Sequence, residues 1–92
     1  MAIVTLRYWA AAKEAAGVAE ETIRAGTLAE ALAAAGGRAG NGGEAAQDPR
    51  LRAVLSRSSF LIDGSPVGSR APETVMLSDA SVIEVLPPFA GG

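Results

Sequence analysis

The strand-like run Val82-Ile83-Glu84-Val85-Leu86 ends abruptly on Pro87-Pro88, and this junction constrains the rest of the chain more than any other feature. Proline fixes φ and carries no N–H, so the pair halts sheet pairing and stiffens the exit from the fold. The other strongly patterned segment lies at the opposite end. Residues 3–9 alternate, with Val4, Leu6 and Tyr8 on one face and Thr5, Arg7 and Trp9 on the other. These first and last strands are the most apolar of the chain. They are expected to pair side by side in the centre of a sheet.

Between them the local signals alternate between helix and strand. Ala10 to Ala16 reads as a short alanine-rich helix halted by Gly17. Residues 20–25 read as a returning strand, with Thr22 and Arg24 opposite Ile23. Thr27-Leu28-Ala29-Glu30 has the form of a capping box, with Glu30 reaching back to the N-cap, and predicts a long helix from Leu28 to about Ala35. Leu28, Ala31, Leu32 and Ala35 form its core-facing stripe. Asp48-Pro49 is an N-cap followed by proline at the first helical position, opening a short helix to about Arg57. A strand is expected over Ser59 to Asp63 with a turn at Asp63-Gly64, and a short extended piece from Val67. The order predicts an α+β fold, a mixed sheet with one face covered by helix and the other open to partners.

Residues 1–86 are therefore expected to form one domain, and 87–92 a flexible tail. Of the 92 residues, 20 are alanine and only four aromatic, so the core is small and aliphatic. No apolar run approaches the roughly 18 residues of a membrane span, and the start lacks a signal-peptide pattern. Absence of cysteine fits a cytoplasmic home. A net charge of −2 without a basic cluster argues against nucleic acid. The stretch Gly36–Gln47 holds five glycines and no large apolar residue, and reads as a surface spacer. No Gly-Lys-Ser/Thr follows it, which excludes a phosphate-cradling loop.

With neither cysteine nor histidine, the chain has no thiol nucleophile and no side chain titrating near neutrality. A zinc site would have to be all carboxylate, and thiolate-held iron–sulfur clusters are excluded. Asp63 and Asp79 could form an acid pair, but each sits in a turn context that gives it a structural role. The chain is poorly equipped to catalyse anything alone. Its chemistry is expected instead at the tail Pro88-Phe89-Ala90-Gly91-Gly92, which reaches at most about 16 Å beyond the fold. Its terminal glycines lack Cβ atoms and fit a narrow partner site, which makes the Gly92 carboxylate the reactive group.

These features together resemble the MoaD/ThiS family of β-grasp, ubiquitin-like sulfur carriers over nearly the whole chain. The opening Arg7-Tyr8-Trp9-Ala10-Ala11-Ala12-Lys13-Glu14-Ala15-Ala16-Gly17 and the ending Pro87-Pro88-Phe89-Ala90-Gly91-Gly92 are most similar to the small subunits of molybdopterin synthase. Carriers of the thiamine type usually lack the helix that follows the first strand. The family's usual Asp-Gly-Asp before the last strand is here Ser78-Asp79-Ala80-Ser81, with alanine where glycine is expected; only turn geometry should change.

The resemblance implies a β-grasp sheet with one main helix, and no bound cofactor. An adenylating enzyme of the MoeB/ThiF type would use ATP to activate Gly92. A sulfur donor would convert the adenylate to a thiocarboxylate, and a MoaE-like large subunit would receive the sulfur for molybdopterin. Pro88, Phe89, Ala90 and Gly91 would thread into the partner. Strand alternation turns Trp9 and Leu86 outward as docking residues. The same tail chemistry would serve thiamine, cysteine or secondary-metabolite synthesis, or a ubiquitin-like modifier joined to lysines.

Overall fold

The computed structural model describes residues 2–36 and 48–88. Five strands form one mixed sheet: β1 (Ala2–Tyr8), β2 (Glu20–Ala25), β3 (Ser59–Ile62), β4 (Ser65–Pro66) and β5 (Val82–Leu86), in the spatial order β2-β1-β5-β3-β4. β1 and β5 lie parallel at the centre, as their apolar patterns predict, with Thr5 opposite Val82 and Tyr8 opposite Val85. β2 pairs antiparallel with β1, and β3 antiparallel with β5. Among the described residues three short α-helices, α1 (Ala10–Ala16), α2 (Leu28–Ala34) and α3 (Pro49–Arg57), supply the helical layer.

Each helix boundary has a local cause. Gly17 adopts φ 82 and donates its N–H to the Lys13 carbonyl, closing α1 with a left-handed residue. Thr27 Oγ1 accepts from the Glu30 N–H at 3.2 Å, as a capping box requires. The reciprocal bond is displaced by one residue, because the Glu30 carboxylate takes the Gly26 N–H at 2.7 Å. Asp48 caps α3 by accepting from Arg50 N–H at 2.7 Å, with Pro49 at the first helical position. α3, with nine residues, is longer than α2, with seven, reversing the order of lengths expected from sequence.

The β3–β4 hairpin turns on Asp63 (φ 51) and Gly64 (φ 88), the pair of positive angles that a type I′ turn needs. β3 stops at Ile62, one residue short of the expected end, because Asp63 is the first turn residue. Pairing resumes at Ser65–Pro66, ahead of Val67, which is instead buried and donates its N–H to the Phe60 carbonyl.

The core lies between the sheet's inner face and the helices. Val4, Leu6, Tyr8, Ile83 and Val85 project into it from the central strands, and Ala12, Leu28, Ala31, Ala35 and Leu51 meet them from above. Burying side chains of this size stabilises by about 1.5–3 kcal/mol each for the larger ones. Two details lock the layers together. Gly36 has φ 73, a left-handed angle that strains a residue with a side chain, and a Cβ there would stand 2.3 Å from Leu51 Cδ2 and displace that side chain from α3. The Tyr8 hydroxyl donates to Glu21 Oε2, which also accepts the Gly36 N–H at 2.7 Å. Burial first, and then the Glu21 carboxylate, push the Tyr8 phenol far above its ordinary range.

Candidate functional site

The face of the sheet opposite the helices has no cover among the described residues, and its composition follows from strand alternation. Thr5 and Arg7 on β1, Val82, Glu84 and Leu86 on β5, and Leu61 on β3 point to it, while their neighbours in sequence point to the core. Ile3 is 48% exposed and Trp9 46%, large values for apolar side chains of this size. An apolar patch rimmed by charge is the usual signature of a contact surface.

Trp9 holds the junction between β1 and α1. Its backbone is extended (φ −123, ψ 150), and its carbonyl accepts the N–H groups of Ala12 and Lys13, starting the helix. Tryptophan has no side-chain oxygen to cap with, so its ring is free to serve another end. The indole Nε1–H donates to Glu84 Oε1 at 3.1 Å, fixing the ring over β5. The next residue, Ala10, has φ 51, a left-handed conformation that costs roughly 1–2 kcal/mol for a residue with a Cβ. The strained corner turns the chain sharply out of β1 immediately after Trp9. A shallow cleft of about 560 Å³ flanks the ring, lined by Ala10, Lys13, Glu14, Gly17 and Val18.

The parallel register sets Leu86 one step beyond the Tyr8–Val85 pair, alongside Trp9. Leu86 is half-buried and outward-facing, Pro87 is half-buried, and Pro88 is exposed. The chain thus leaves the sheet at the end that carries Trp9. Trp9 and Leu86, expected to share an outward face, are brought together there. Phe89, Ala90, Gly91 and Gly92 lie outside the described residues, as does the glycine-rich stretch from 37 to 47. Sequence reasoning missed Glu84 and Ala10 as parts of this corner. Glu84 was legible as an outward carboxylate on the same face, but the bend at Ala10 left no mark in the sequence.

The described residues hold no catalytic constellation. Asp63 Oδ1 accepts the Val82 N–H at 2.9 Å, and Asp79 Oδ1 accepts the Ile3 N–H at 2.9 Å, so each aspartate closes the start of a central strand. Ala80 adopts φ 71, so the alanine bears a left-handed strain that glycine would not, and the turn keeps the geometry glycine favours. Among the described residues no group of three potential ligands clusters as a metal site, and no helix is long and apolar enough to cross a membrane.

Residues 6–92 match the ThiS family. No curated protein matches the sequence. Among solved structures, the chain is similar to a protein in the complex of subunits 1 and 2 of the molybdopterin-converting factor of Helicobacter pylori, with 22% identity, 98% of this chain and 99% of that one covered, and a TM-score of 0.63. Small archaeal modifier protein 1 of Methanosarcina acetivorans shares 22% identity over 100% of this chain and 98% of its own, with a TM-score of 0.63. The protein of that name from Haloferax volcanii is 16% identical, covering 98% and 99%, with a TM-score of 0.70. At these identities the likeness establishes the fold, a ubiquitin-like β-grasp.

Proposed function

The chain belongs to the ThiS family, and from that membership we propose that it is a sulfur carrier whose Gly92 carboxylate becomes a thiocarboxylate. The observation that carries the reading is the pairing of an uncovered sheet face with a tail root. Trp9, held by Glu84, and outward Leu86 stand where the chain enters Pro87-Pro88 on its way to Gly91-Gly92. A partner docked on that face would receive residues 88–92 in its own active site.

The chemistry asks little of the carrier. A carboxylate is a poor electrophile because it is anionic and resonance-stabilised. An adenylating enzyme of the ubiquitin-activating (MoeB/ThiF) type would let the Gly92 oxygen attack the α-phosphorus of ATP, releasing pyrophosphate. A sulfur nucleophile would then displace AMP to leave the thiocarboxylate. Every catalytic group comes from a partner, which is consistent with a chain lacking cysteine and histidine. Holding sulfur on a docked protein raises its effective concentration at the acceptor.

The acceptor proposed here is a molybdopterin precursor on a MoaE-like large subunit, with this chain as the small subunit of the synthase. The helix after β1 and the likeness to a protein found in a complex of converting-factor subunits support that choice. The test incubates the chain with ATP, the adenylating enzyme and a sulfur donor, then takes intact and fragment masses. One oxygen replaced by sulfur at Gly92, and transfer to the precursor by the large subunit, is the expected result. Transfer that survives deletion of Gly92 would overturn it.

A second reading is favoured by one observation, the likeness to small archaeal modifier proteins. In that case Gly92 forms isopeptide bonds with lysines of other proteins, and conjugates accumulate without any thiocarboxylate.

A further inference from the structure

β2 is the outermost strand on its side of the sheet, and the bonds made by β1 fix where its backbone groups point. Thr5 N–H donates to the Ser81 carbonyl at 2.9 Å and Ile3 N–H to Asp79, so the odd-numbered residues of β1 face the β5 side. Tyr8 N–H donates to the Ala19 carbonyl at 2.8 Å, so the even-numbered residues face β2. In the register that pairs Leu6 with Glu21 and Val4 with Ile23, the N–H and C=O groups of Glu20, Thr22 and Arg24 point away from the sheet. No strand among the described residues takes them. Such a row is a template for another strand.

We propose that this edge pairs with the same edge of a second copy of the chain, antiparallel, about a two-fold axis through Thr22. In that register Glu20 lies opposite Arg24 of the second copy, Thr22 opposite Thr22, and Arg24 opposite Glu20. All three are residues whose backbone groups point outward, so the ladder closes without a slip. Their side chains are exposed and share the sheet's outer face, and Arg24 has no ion-pair partner among the described residues. Charges on an edge normally deter strand addition. Here each acidic residue meets a basic one, so the edge rejects strands of other pattern and accepts its own.

The free edge also has the length of the strand that fills it. Past Arg24 the position is taken, because the Gly26 carbonyl accepts Leu77 N–H at 3.0 Å and Thr27 bridges to Met76. The incoming β2 begins at Glu20, opposite Arg24, and so stops where the edge stops. Two large apolar residues then find cover. Val18, 44% exposed, precedes β2, and Met76, 72% exposed, sits on the segment that blocks the edge. The two-fold axis brings Val18 of one copy up to the Met76 segment of the other, at both ends of the junction. The dimer leaves Leu86 accessible, since β5 is the third strand from the axis.

Sedimentation velocity and light scattering on the whole chain test this. The expected mass is twice the 9.2 kDa of one chain at high protein concentration, falling toward one on dilution. Thr22→Pro removes an N–H that β1 does not use, and should give a monomer with an unchanged far-ultraviolet spectrum. Arg24→Glu places like charges opposite one another, as does Glu20→Arg, and each alone should be monomeric. Mixed in equal amounts, the two variants should recover the dimer, which neither misfolding nor a general charge effect would produce. A wild-type chain that stays monomeric at every concentration overturns the proposal. So does a dimer that survives both charge variants, or a mixture that fails to associate.

Discussion

The two faces of the sheet are built from the same strands and obey opposite rules. On the helical side Val4, Leu6, Ile83 and Val85 are fully enclosed, and the Tyr8 hydroxyl has its own carboxylate. On the other side Ile3 and Trp9 stand half exposed among Arg7, Glu20 and Glu84, with polar contacts that are long or at the surface. Residues one position apart on β1 therefore answer to different demands. The inner residue is fixed by packing, and the outer one is free to be shaped by whatever lands on it. Substitutions on the inner face should register as stability, and those on the outer face as binding.

The largest effect expected is on the inner face. Leu6→Ala removes a fully buried side chain from the strand between β2 and β5, and should destabilise by about 2–5 kcal/mol. Denaturant unfolding would measure it. A loss below about 1 kcal/mol would mean that the inner face is not the packed one. Trp9→Ala and Leu86→Glu sharpen the comparison from the other side. Each should weaken the proposed complex with a synthase subunit by about 2 kcal/mol or more, while stability in the free chain changes by about 0.5 kcal/mol. Calorimetric titration beside a thermal melt separates the two, and a variant that mainly lowers the melting temperature would move that residue to the core.

Tyr8→Phe probes the polar exception on the inner face. Losing a hydrogen bond to a charged carboxylate should destabilise by about 1.5–3 kcal/mol. The pH dependence follows from the direction of the shift. The folded phenol holds its proton well above the unfolded value of about 10, so its contribution is intact below that pH and erodes as the unfolded form ionises above it. Tyr8 is the only tyrosine, so phenolate absorbance should rise only together with alkaline unfolding. Phenolate formation in the folded chain would overturn the assignment. The smallest effect is expected for Arg7→Ala. Its ion pair with Glu20 spans 3.4 Å between exposed side chains and should contribute about 0.2–1 kcal/mol, screened by salt. A salt-insensitive loss beyond that range would show that the outer face carries structural charge.

Most of the sheet was legible because strand alternation and turn chemistry are local. The pattern of Val4, Leu6 and Tyr8, the stop at Gly17, the capping residues Thr27 and Asp48, and the Asp63-Gly64 turn each encode their own geometry in a few residues. The outward setting of Trp9 and Leu86 followed from parity alone. What escaped detection is geometry that no short side-chain pattern encodes. Glu30 takes the Gly26 N–H, one residue ahead of the N-cap, a shift the capping pattern does not show. Gly36 is crowded by Leu51, fifteen positions on, which no local pattern announces. The left-handed bends at Ala10 and Ala80 fall on alanine, a residue that gives no warning of a positive φ. The strand pairing at Ser65–Pro66 reflects hairpin register, which the turn sets and the side chains do not.

The parallel pairing of β1 with β5 has a consequence in time. Thr5 and Val82 are neighbours in the sheet, so the central contact closes a loop that spans nearly the whole described chain. Loops of that length form late, and pairing between distant strands slows folding. During synthesis β1 emerges first and waits, its inner apolar face unmatched, until residues 82–86 are made. A chain cut short before Val82 has β1 and β2 but no central neighbour for them, and should be cleared as unfolded protein. Folding of the domain thus reports that translation has reached the segment leading into residues 87–92, the part of the chain on which the proposed sulfur chemistry depends.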